Sequence, residues 1–204
     1  LAADQTRLAE MARPISIDEM HEKVPILRSG PARSGFVISD GGDLDVDAIH
    51  QGYLRMLRRN DGSIQVRAGV TGMTFENGQW TVNTRSGDFV APVVINAAGA
   101  WADQIGELAG VGAMGLSPKR RTAILIDPPV EHHIDNWPFV VDIDEEFYFK
   151  PDAGKLLVSP ADETPSVPCD AQPELEDVAI SAARFEEATG VAVKQISHRW
   201  AGLR

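Results

Sequence analysis

Four small residues stand between an apolar run at residues 93–95 and a helical pattern that begins near Trp101. They are Ala97, Ala98, Gly99 and Ala100. Small side chains at the carboxyl end of a buried strand let a ligand or another backbone approach closely. In open α/β sheets, ligands collect outside such strand ends, where N–H groups of the next helix can meet anionic oxygens. The segment is equally consistent with the edge of a dinucleotide cofactor site and with a tight strand-to-helix junction.

Two other patterns contain residue types that bind ligands. Residues 110–115, GVGAMG, match the letters of G-x-G-x-x-G, but this motif holds a pyrophosphate only when it follows a strand and opens a helix. Here it follows a helical pattern and runs towards Pro118, which predicts a loop. The acidic and histidine residues at 131–135 lack the spacing of a metal site, so no metal is expected.

Helical patterns occur around Leu8 and again at residues 43–60. Between them, prolines are expected to interrupt regular structure, at Pro14, Pro25 and Pro31. The second pattern places its apolar residues on one stripe and offers Asp45 or Asp47 as the N-cap. It therefore predicts an amphipathic helix.

Strand patterns follow this helix. Residues 64–67 alternate apolar and polar side chains as a half-buried strand does. The dipeptide Asn-Gly at residues 77–78 is a strong hairpin signal, and with a second turn at 86–87 it predicts a three-stranded meander. The apolar run at residues 93–95 predicts a strand covered on both faces.

After Pro118 the pattern changes to short strands separated by turns that contain proline or glycine. The strand candidates are residues 122–126, 139–143, 146–150 and 155–159. A helix follows across residues 175–189 and ends at Gly190. Strands grouped with one helix are typical of a mostly antiparallel α+β unit.

Composition excludes several classes of partner. A formal net charge of −11 over 204 residues makes binding to nucleic acid or to an anionic membrane unexpected. The single cysteine, Cys169, excludes an intrachain disulfide and suits a reducing compartment. The sequence contains no apolar run of membrane-spanning length and no signal peptide, so we expect a cytoplasmic protein without an integral membrane segment.

Three motifs, in this order, resemble the FAD-dependent D-amino-acid oxidase superfamily, which includes glycine and sarcosine oxidases. Residues 93–111, VVINAAGAWADQIGELAGV, are similar to the segment that closes its flavin domain. Residues 147–160, FYFKPDAGKLLVSP, resemble its Tyr-x-x-Pro strand, and residues 198–204, HRWAGLR, resemble the strand that bears its substrate arginine. With PKRRTA at residues 118–123, the pattern is most similar to bacterial D-amino-acid dehydrogenases, D-arginine dehydrogenase among them.

The resemblance implies an α+β fold in two parts. Residues 1–40 and 116–204 would form a substrate domain built on a mixed, mostly antiparallel sheet with helices. Residues 41–115 would form an incomplete, Rossmann-like FAD domain with a helix, a meander and the last strand and helix. In that family a G-x-G-x-x-G loop comes earlier and a second flavin-binding stretch comes later, so we expect a central section of the enzyme.

The resemblance also implies residues that contact the substrate. Arg121 and Arg204 match arginines that bind a carboxylate, and Tyr148 matches an active-site tyrosine whose hydroxyl can donate to the same carboxylate. A guanidinium binds a carboxylate through two parallel, charge-assisted hydrogen bonds. By themselves, arginines on strands are more often solvated or ion-paired surface groups, as expected for Arg120, and a tyrosine between two phenylalanines most simply packs in a core.

The cofactor implied by the resemblance is FAD. Val70 matches a position at the adenine, and the remaining matches lie near the ribityl-diphosphate: Ala97, Ala98, Gly99 and Trp101. By themselves, Val70 is an ordinary strand residue and Trp101 a helix residue that packs in a core.

The implied reaction oxidises the amine of a small-molecule substrate, a D-amino acid, whose α-hydrogen leaves as hydride to the flavin. The resulting imine is hydrolysed to a keto acid and ammonia. The alternatives are an oxidase of N-methylated amino acids or glycine, and a non-catalytic ligand-binding module. Without the Rossmann loop, this chain alone is expected neither to retain FAD nor to turn over substrate, and an unpaired strand edge is expected to favour a dimer.

Overall fold

The computed structural model describes residues 11–30, 32, 34–39 and 41–204. The helix predicted around Leu8 lies outside these residues. The described residues divide into two compact units. The sheet unit contains those up to Ser39 together with Ser117–Arg204, and the meander unit contains those between Ser39 and Ser117.

The sheet unit begins with a small two-stranded sheet and a helix. Strand β1 (Ala12–Ile15) pairs antiparallel with β2 (Gly35–Ile38), and helix α1 (Ile17–Lys23) lies between them in the chain. The prediction that Pro14 interrupts regular structure is wrong, because Pro14 lies within β1. In the described residues β1 has one partner strand, and a residue without an N–H is tolerated in such an edge strand.

Six antiparallel strands form the main sheet of this unit. They are β6 (Lys119–Ile126), β7 (Val140–Val141), β8 (Tyr148–Asp152), β9 (Lys155–Ser159), β10 (Thr164–Pro165) and β11 (Ile196–Leu203). Strand β6 is central: β11 pairs along most of one side, whereas β10 and β9 share the other side at opposite ends. Strands β8 and β7 follow β9. The predicted mostly antiparallel sheet is confirmed.

One face of this sheet is covered by helix α4 (Leu175–Thr189), which packs on β6 and β9. Phe185 of α4 is fully buried and meets the fully buried Phe149 of β8 edge-on, with ring centroids 5.4 Å apart. The helix ends as predicted at Gly190, whose left-handed φ of 72° suits a residue without Cβ. The surrounding core consists mainly of the aliphatic side chains Val24, Ile26, Ile124, Ile126, Leu156, Val158 and Val178.

The meander unit contains a helix and a three-stranded sheet. Helix α2 (Val46–Arg59) is capped by Asp45, whose Oδ1 accepts a hydrogen bond of 2.8 Å from the N–H of Ala48. Strands β3 (Val70–Glu76), β4 (Gln79–Thr84) and β5 (Gly87–Ala91) pair in sequence order. The turn between the first two has positive φ at both of its central residues, Asn77 and Gly78, as a hairpin of type I′ requires. The predicted helix and meander are confirmed.

Two of the strand predictions for this unit are wrong. Residues 64–67 form no strand, and Arg67 within them has a φ of 58°, which breaks an extended run. Residues 93–95 form no strand either, and Val93 and Ile95 are 70% and 84% exposed. A strand needs a neighbour for its backbone hydrogen bonds, and among the described residues neither segment has one. Val70 therefore begins β3 and does not end an earlier strand.

The helix predicted after the small residues is confirmed. A 3₁₀ turn at Gly99–Trp101 leads into helix α3 (Ala102–Leu108), which lies against β3. Gly99 has a φ of 56°, a left-handed conformation that favours glycine. One small residue in this segment is thus required by the backbone itself.

Candidate functional site

Adjacent arginines on β6 point to opposite faces of the main sheet. The guanidinium of Arg120 reaches Glu174 and Asp177 at the start of α4, so Arg120 lies on the covered face. Because side chains alternate along a strand, Arg121 lies on the other face, which we call the open face. The register of the sheet pairs Arg121 with Gly202 of β11.

Arg121 and Arg204 converge on one carboxylate. Arg204 follows β11 and is joined to Lys119 by two backbone hydrogen bonds of 2.9 Å, which fixes it beside β6. The Nη2 atom of Arg204 donates to Oε1 of Glu163, and Nη2 of Arg121 lies 3.5 Å from the same oxygen. The Nζ atom of Lys119 donates to Oε2 of Glu163 at 2.5 Å. Lys119, Arg121 and Arg204 are called the cation cluster below.

Tyr148 holds the guanidinium of Arg121 through its ring. The guanidinium carbon lies 5.9 Å from the ring centroid, within the range of a cation–π contact. The ring of Phe139 packs against the ring of Tyr148, with centroids 5.3 Å apart and an angle of 50° between the ring planes. The structure therefore brings Tyr148, Arg121 and Arg204 to one region of the open face, and their roles towards a substrate stay predictions.

The space over Gly202 on this face is empty. A Cβ atom built on Gly202 would meet no atom within 4 Å, and the backbone there does not need a glycine. By alternation along β11, Trp200 and Arg204 flank Gly202 on the same face. The missing side chain leaves room directly beside Arg121 for a small ligand.

Asp162 supports the site and was missed by the sequence analysis. Its Oδ1 accepts a 2.6 Å hydrogen bond from the N–H of Thr122, and its Oδ2 lies 3.1 Å from the Thr122 hydroxyl. Thr122 is fully buried, on the part of β6 between the residues paired with β10 and those paired with β9. The backbone carbonyl of Asp162 accepts from Nε of Arg121 at 2.9 Å. Asp162 thus supplies a hydrogen-bond acceptor to the part of β6 that lies between β10 and β9, and it orients Arg121.

A signal for this contact is present in the sequence. The basic run at residues 119–121 follows Pro118, and the acidic pair Asp162-Glu163 lies between Pro160 and Pro165. The two segments have opposite charge. Charge complementarity between the two segments could have identified them as neighbours. Only the register of β10 on β6, which pairs Thr164 with Arg120, decides which acid meets which base.

We expect Asp162→Ala to destabilise the protein by about 1–3 kcal/mol, because the substitution leaves the buried N–H and hydroxyl of Thr122 without their acceptor. Equilibrium unfolding in urea measures this change. Asp170→Ala, at an exposed aspartate, is the matched control and should stay within about 0.5 kcal/mol. Equal stability of the two variants would contradict the supporting role of Asp162.

Arg120 is ion-paired as expected, but it is not a surface group. Its side chain is 13% exposed, and it bonds to Glu174 and, at 2.8 Å, to Asp177. Burial of the guanidinium acts to lower the pKa of Arg120, but the hydrogen bonds that it donates to Glu174 and Asp177 outweigh this effect and hold the pKa above its ordinary value. Arg120 therefore ties the start of α4 to β6 and has no access to the open face.

Backbone N–H groups at the end of the GVGAMG loop bind a carboxylate of the chain itself. The carboxylate of Asp103 in α3 accepts hydrogen bonds from the backbone N–H groups of Met114, Gly115 and Leu116, at 2.9, 3.1 and 2.8 Å. The prediction of a loop is confirmed, and the chain's own carboxylate takes the position that an anion would occupy there.

Across residues 11–30, 32, 34–39 and 41–204, no three histidine, cysteine or acidic side chains are grouped so that they could hold a metal ion. None of the helices in these ranges combines the length and apolar character needed to cross a bilayer. In the segment that contains histidines and acids, the ring of His132 packs against Trp137, with centroids 5.9 Å apart.

The residues predicted to contact a cofactor belong to the meander unit. Gly99 is exposed, Trp101 is 42% exposed, and a Cβ atom at Gly99 would meet nothing within 4 Å. Asn96 fixes the turn: its Nδ2 donates to the carbonyl of Ala102 at 2.8 Å, and its Oδ1 accepts from the N–H of Ala98 at 3.3 Å. Val70 begins β3, the strand on which α3 lies.

Comparison with known proteins identifies the family. A sequence model of the DAO family, described as "FAD dependent oxidoreductase", matches residues 1–204. The chain belongs to this family. Mitochondrial dimethylglycine dehydrogenase of Mus musculus is 24% identical over 149 residues, which are 72% of this chain and 17% of that protein.

Solved structures share the fold of this DAO family member. L-proline dehydrogenase from P. horikoshii has a TM-score of 0.81 at 21% identity, over 94% of this chain and 52% of that one. Glycine oxidase from Geobacillus kaustophilus has a TM-score of 0.77 at 20% identity, over 95% and 50%. The chain thus spans about half the length of the solved structures it matches, and at these identities the likeness establishes the fold alone.

The meander unit has features that fit the FAD implied by the family. The turn at Gly99 carries no side chain and opens to free space, so a large ligand can approach its backbone. The apolar side chains of Val93 and Ile95 beside it are exposed and available for contact. The residues predicted to hold the cofactor there are Ala97, Ala98, Gly99 and Trp101.

Proposed function

We propose that this chain is the central part of an FAD-dependent enzyme that oxidises the amine of an amino acid, with D-amino acids as its substrates. The observation that carries the proposal is the convergence of Arg121 and Arg204 on a carboxylate, beside Tyr148, on the open face of the main sheet. Two guanidiniums and a lysine at one point form a site for an anionic group, and an amino acid presents a carboxylate.

In this proposal the open face fixes the substrate by its carboxylate. Arg121 and Arg204 bind the two carboxylate oxygens, and the Tyr148 hydroxyl completes the contact. The empty space over Gly202 receives the rest of the substrate. Held at one end, the amino acid presents its α-carbon in one orientation, which is the main contribution a protein makes to such a reaction. The chemistry that FAD supplies when bound is acceptance of the α-hydrogen as hydride.

The names of the related proteins support the substrate class. Proline, glycine and dimethylglycine are all amines with a carboxylate on the α-carbon. They differ in the substituents on the nitrogen and the α-carbon. A shared binding site for the carboxylate, beside a part of the site that differs between the proteins, agrees with all three. They also favour a second candidate function, an oxidase of glycine or of N-methylated amino acids.

For the cofactor, we propose that Val70, Ala97, Ala98, Gly99 and Trp101 contact FAD, with Val70 at the adenine and the others near the ribityl-diphosphate. The meander unit would then be part of the FAD-binding domain and the sheet unit the substrate domain. The expectations that this chain alone neither retains FAD nor turns over substrate, and that a strand edge favours a dimer, stay predictions.

A substrate panel tests the function. The full-length protein, loaded with FAD, is assayed with D-amino acids, their L-enantiomers, glycine, sarcosine and the C-terminal amides of the best substrates. We expect D-amino acids to be oxidised with the highest kcat/KM and the amides to lose about 10- to 100-fold, since a neutral amide cannot replace a carboxylate between guanidiniums. Preference for glycine or sarcosine would support the second candidate, and equal rates for acids and amides would contradict both.

A further inference from the structure

Glu163 lies where the carboxylate of an amino acid would bind. Its Oε1 atom accepts from Nη2 of both Arg121 and Arg204. These are the two groups that bind the substrate carboxylate in the proposed function. Its Oε2 atom accepts a hydrogen bond from Nζ of Lys119. The neighbouring acid, Asp162, is not a competitor for this position, because both its carboxylate oxygens are directed at Thr122.

The contact between Glu163 and the cation cluster is open to solvent. The side chains of Glu163, Arg204 and Lys119 are 44%, 51% and 41% exposed. Exposed ion pairs are weak because water and salt screen them and because long side chains lose freedom when they pair. A free carboxylate can therefore exchange with the Glu163 carboxylate. The ion pair of Arg120 with Asp177 on the covered face, with both side chains 13% exposed, lacks this access.

We propose that Glu163 is an internal competitor for the substrate: its carboxylate occupies the carboxylate position of the cation cluster, and an amino acid binds by displacing it. The inference rests on the proposed function, since it takes Arg121 and Arg204 as the groups that bind the substrate carboxylate. A substrate analogue with a carboxylate supplies the same chemical group that Glu163 supplies, so it can take over the contacts of Glu163 with the two arginines.

Lys119 gives the displaced carboxylate a place to remain. It binds the oxygen of Glu163 that does not face the arginines, so Glu163 can release Arg121 and Arg204 while keeping this contact. The displaced side chain then stays at the rim of the site. Occupation by Glu163 lowers the fraction of molecules that are competent to bind, and the apparent dissociation constant rises by the inverse of that fraction.

Acetate is the probe that tests this inference, because it carries a carboxylate and nothing else to recognise. Its dissociation constant is measured by NMR titration of its methyl signal against the FAD-loaded, full-length protein, for wild type, Glu163→Gln, Glu163→Asp, Glu174→Gln and Arg204→Ala. Glu174→Gln is the matched control, since it makes the same charge change at an arginine partner on the covered face.

We expect Glu163→Gln to lower the dissociation constant of acetate about 10-fold and Glu174→Gln to leave it unchanged. Glu163→Asp keeps the charge but has a shorter reach, and it should also lower the constant, which keeps the test available if the glutamine variant does not fold. An unchanged or raised constant in the Glu163 variants, or an equal fall in Glu174→Gln, overturns the inference.

Arg204→Ala separates this inference from the proposed function. If acetate binding is lost in Arg204→Ala but unaffected in the Glu163 variants, the carboxylate site stands and the competitor role of Glu163 fails. If acetate binds equally well to Arg204→Ala and to wild type, the proposed carboxylate site itself fails, and the inference fails with it.

Discussion

Replacing Arg204 with alanine is expected to raise the Michaelis constant of the full-length enzyme for its amino acid substrate about 100-fold. Hydrogen bonds to a charged group contribute about 1.5–3 kcal/mol each, and 1.4 kcal/mol corresponds to a factor of ten. Arg204 is fixed beside β6 by its backbone bonds to Lys119, so its guanidinium is held at the site. Steady-state kinetics over a range of substrate concentrations measures the effect.

Two further variants define the cause of this change. Arg204→Lys keeps the charge but loses the paired geometry of the guanidinium, and we expect it to fall between wild type and Arg204→Ala. Arg199→Ala is the matched control, because Arg199 lies on the same strand with its side chain on the alternate face. A Michaelis constant in Arg204→Ala no higher than in Arg199→Ala would remove Arg204 from the site.

Replacing Phe185 with alanine is expected to lower the free energy of unfolding by about 3–5 kcal/mol, the usual cost of removing a buried phenylalanine. Phe185 is fully buried and joins α4 to the sheet through Phe149, so the substitution leaves a cavity between the two layers. Urea-induced unfolding of the full-length protein, followed by circular dichroism, measures the loss. Leu175→Ala, on the exposed side of the same helix, is the control and should change stability by less than about 1 kcal/mol.

Local signals in the sequence predicted most elements of the fold. The Asn-Gly turn at residues 77–78 and the glycine at 190 each require a backbone conformation that few residues adopt. The hairpin turn and the end of α4 lie at these residues, as predicted. Periodicity was less reliable. Residues 64–67 and 93–95 have strand patterns, but a pattern describes one chain segment, whereas a strand also needs a partner for its backbone.

The candidate site was predictable in part. The resemblance supplied Arg121, Tyr148 and Arg204, and the sheet register brings these three to one face. Asp162 and Glu163 were not identified, because their contacts join residues about forty positions apart and depend on where β10 pairs with β6. The expectation that Arg120 is a surface group was wrong for a related reason: one of two adjacent strand residues must face the helix that covers the sheet.

The alternation of Arg120 and Arg121 along β6 places a limit on chain length. A single residue inserted or deleted between Pro118 and Thr122 would turn every following side chain of the strand to the other face. The guanidinium of Arg121 would then lie under α4, and that of Arg120, which anchors α4, would lie on the open face. We therefore expect sequences that keep this arrangement to vary in composition along the strand but to contain no insertion or deletion within it.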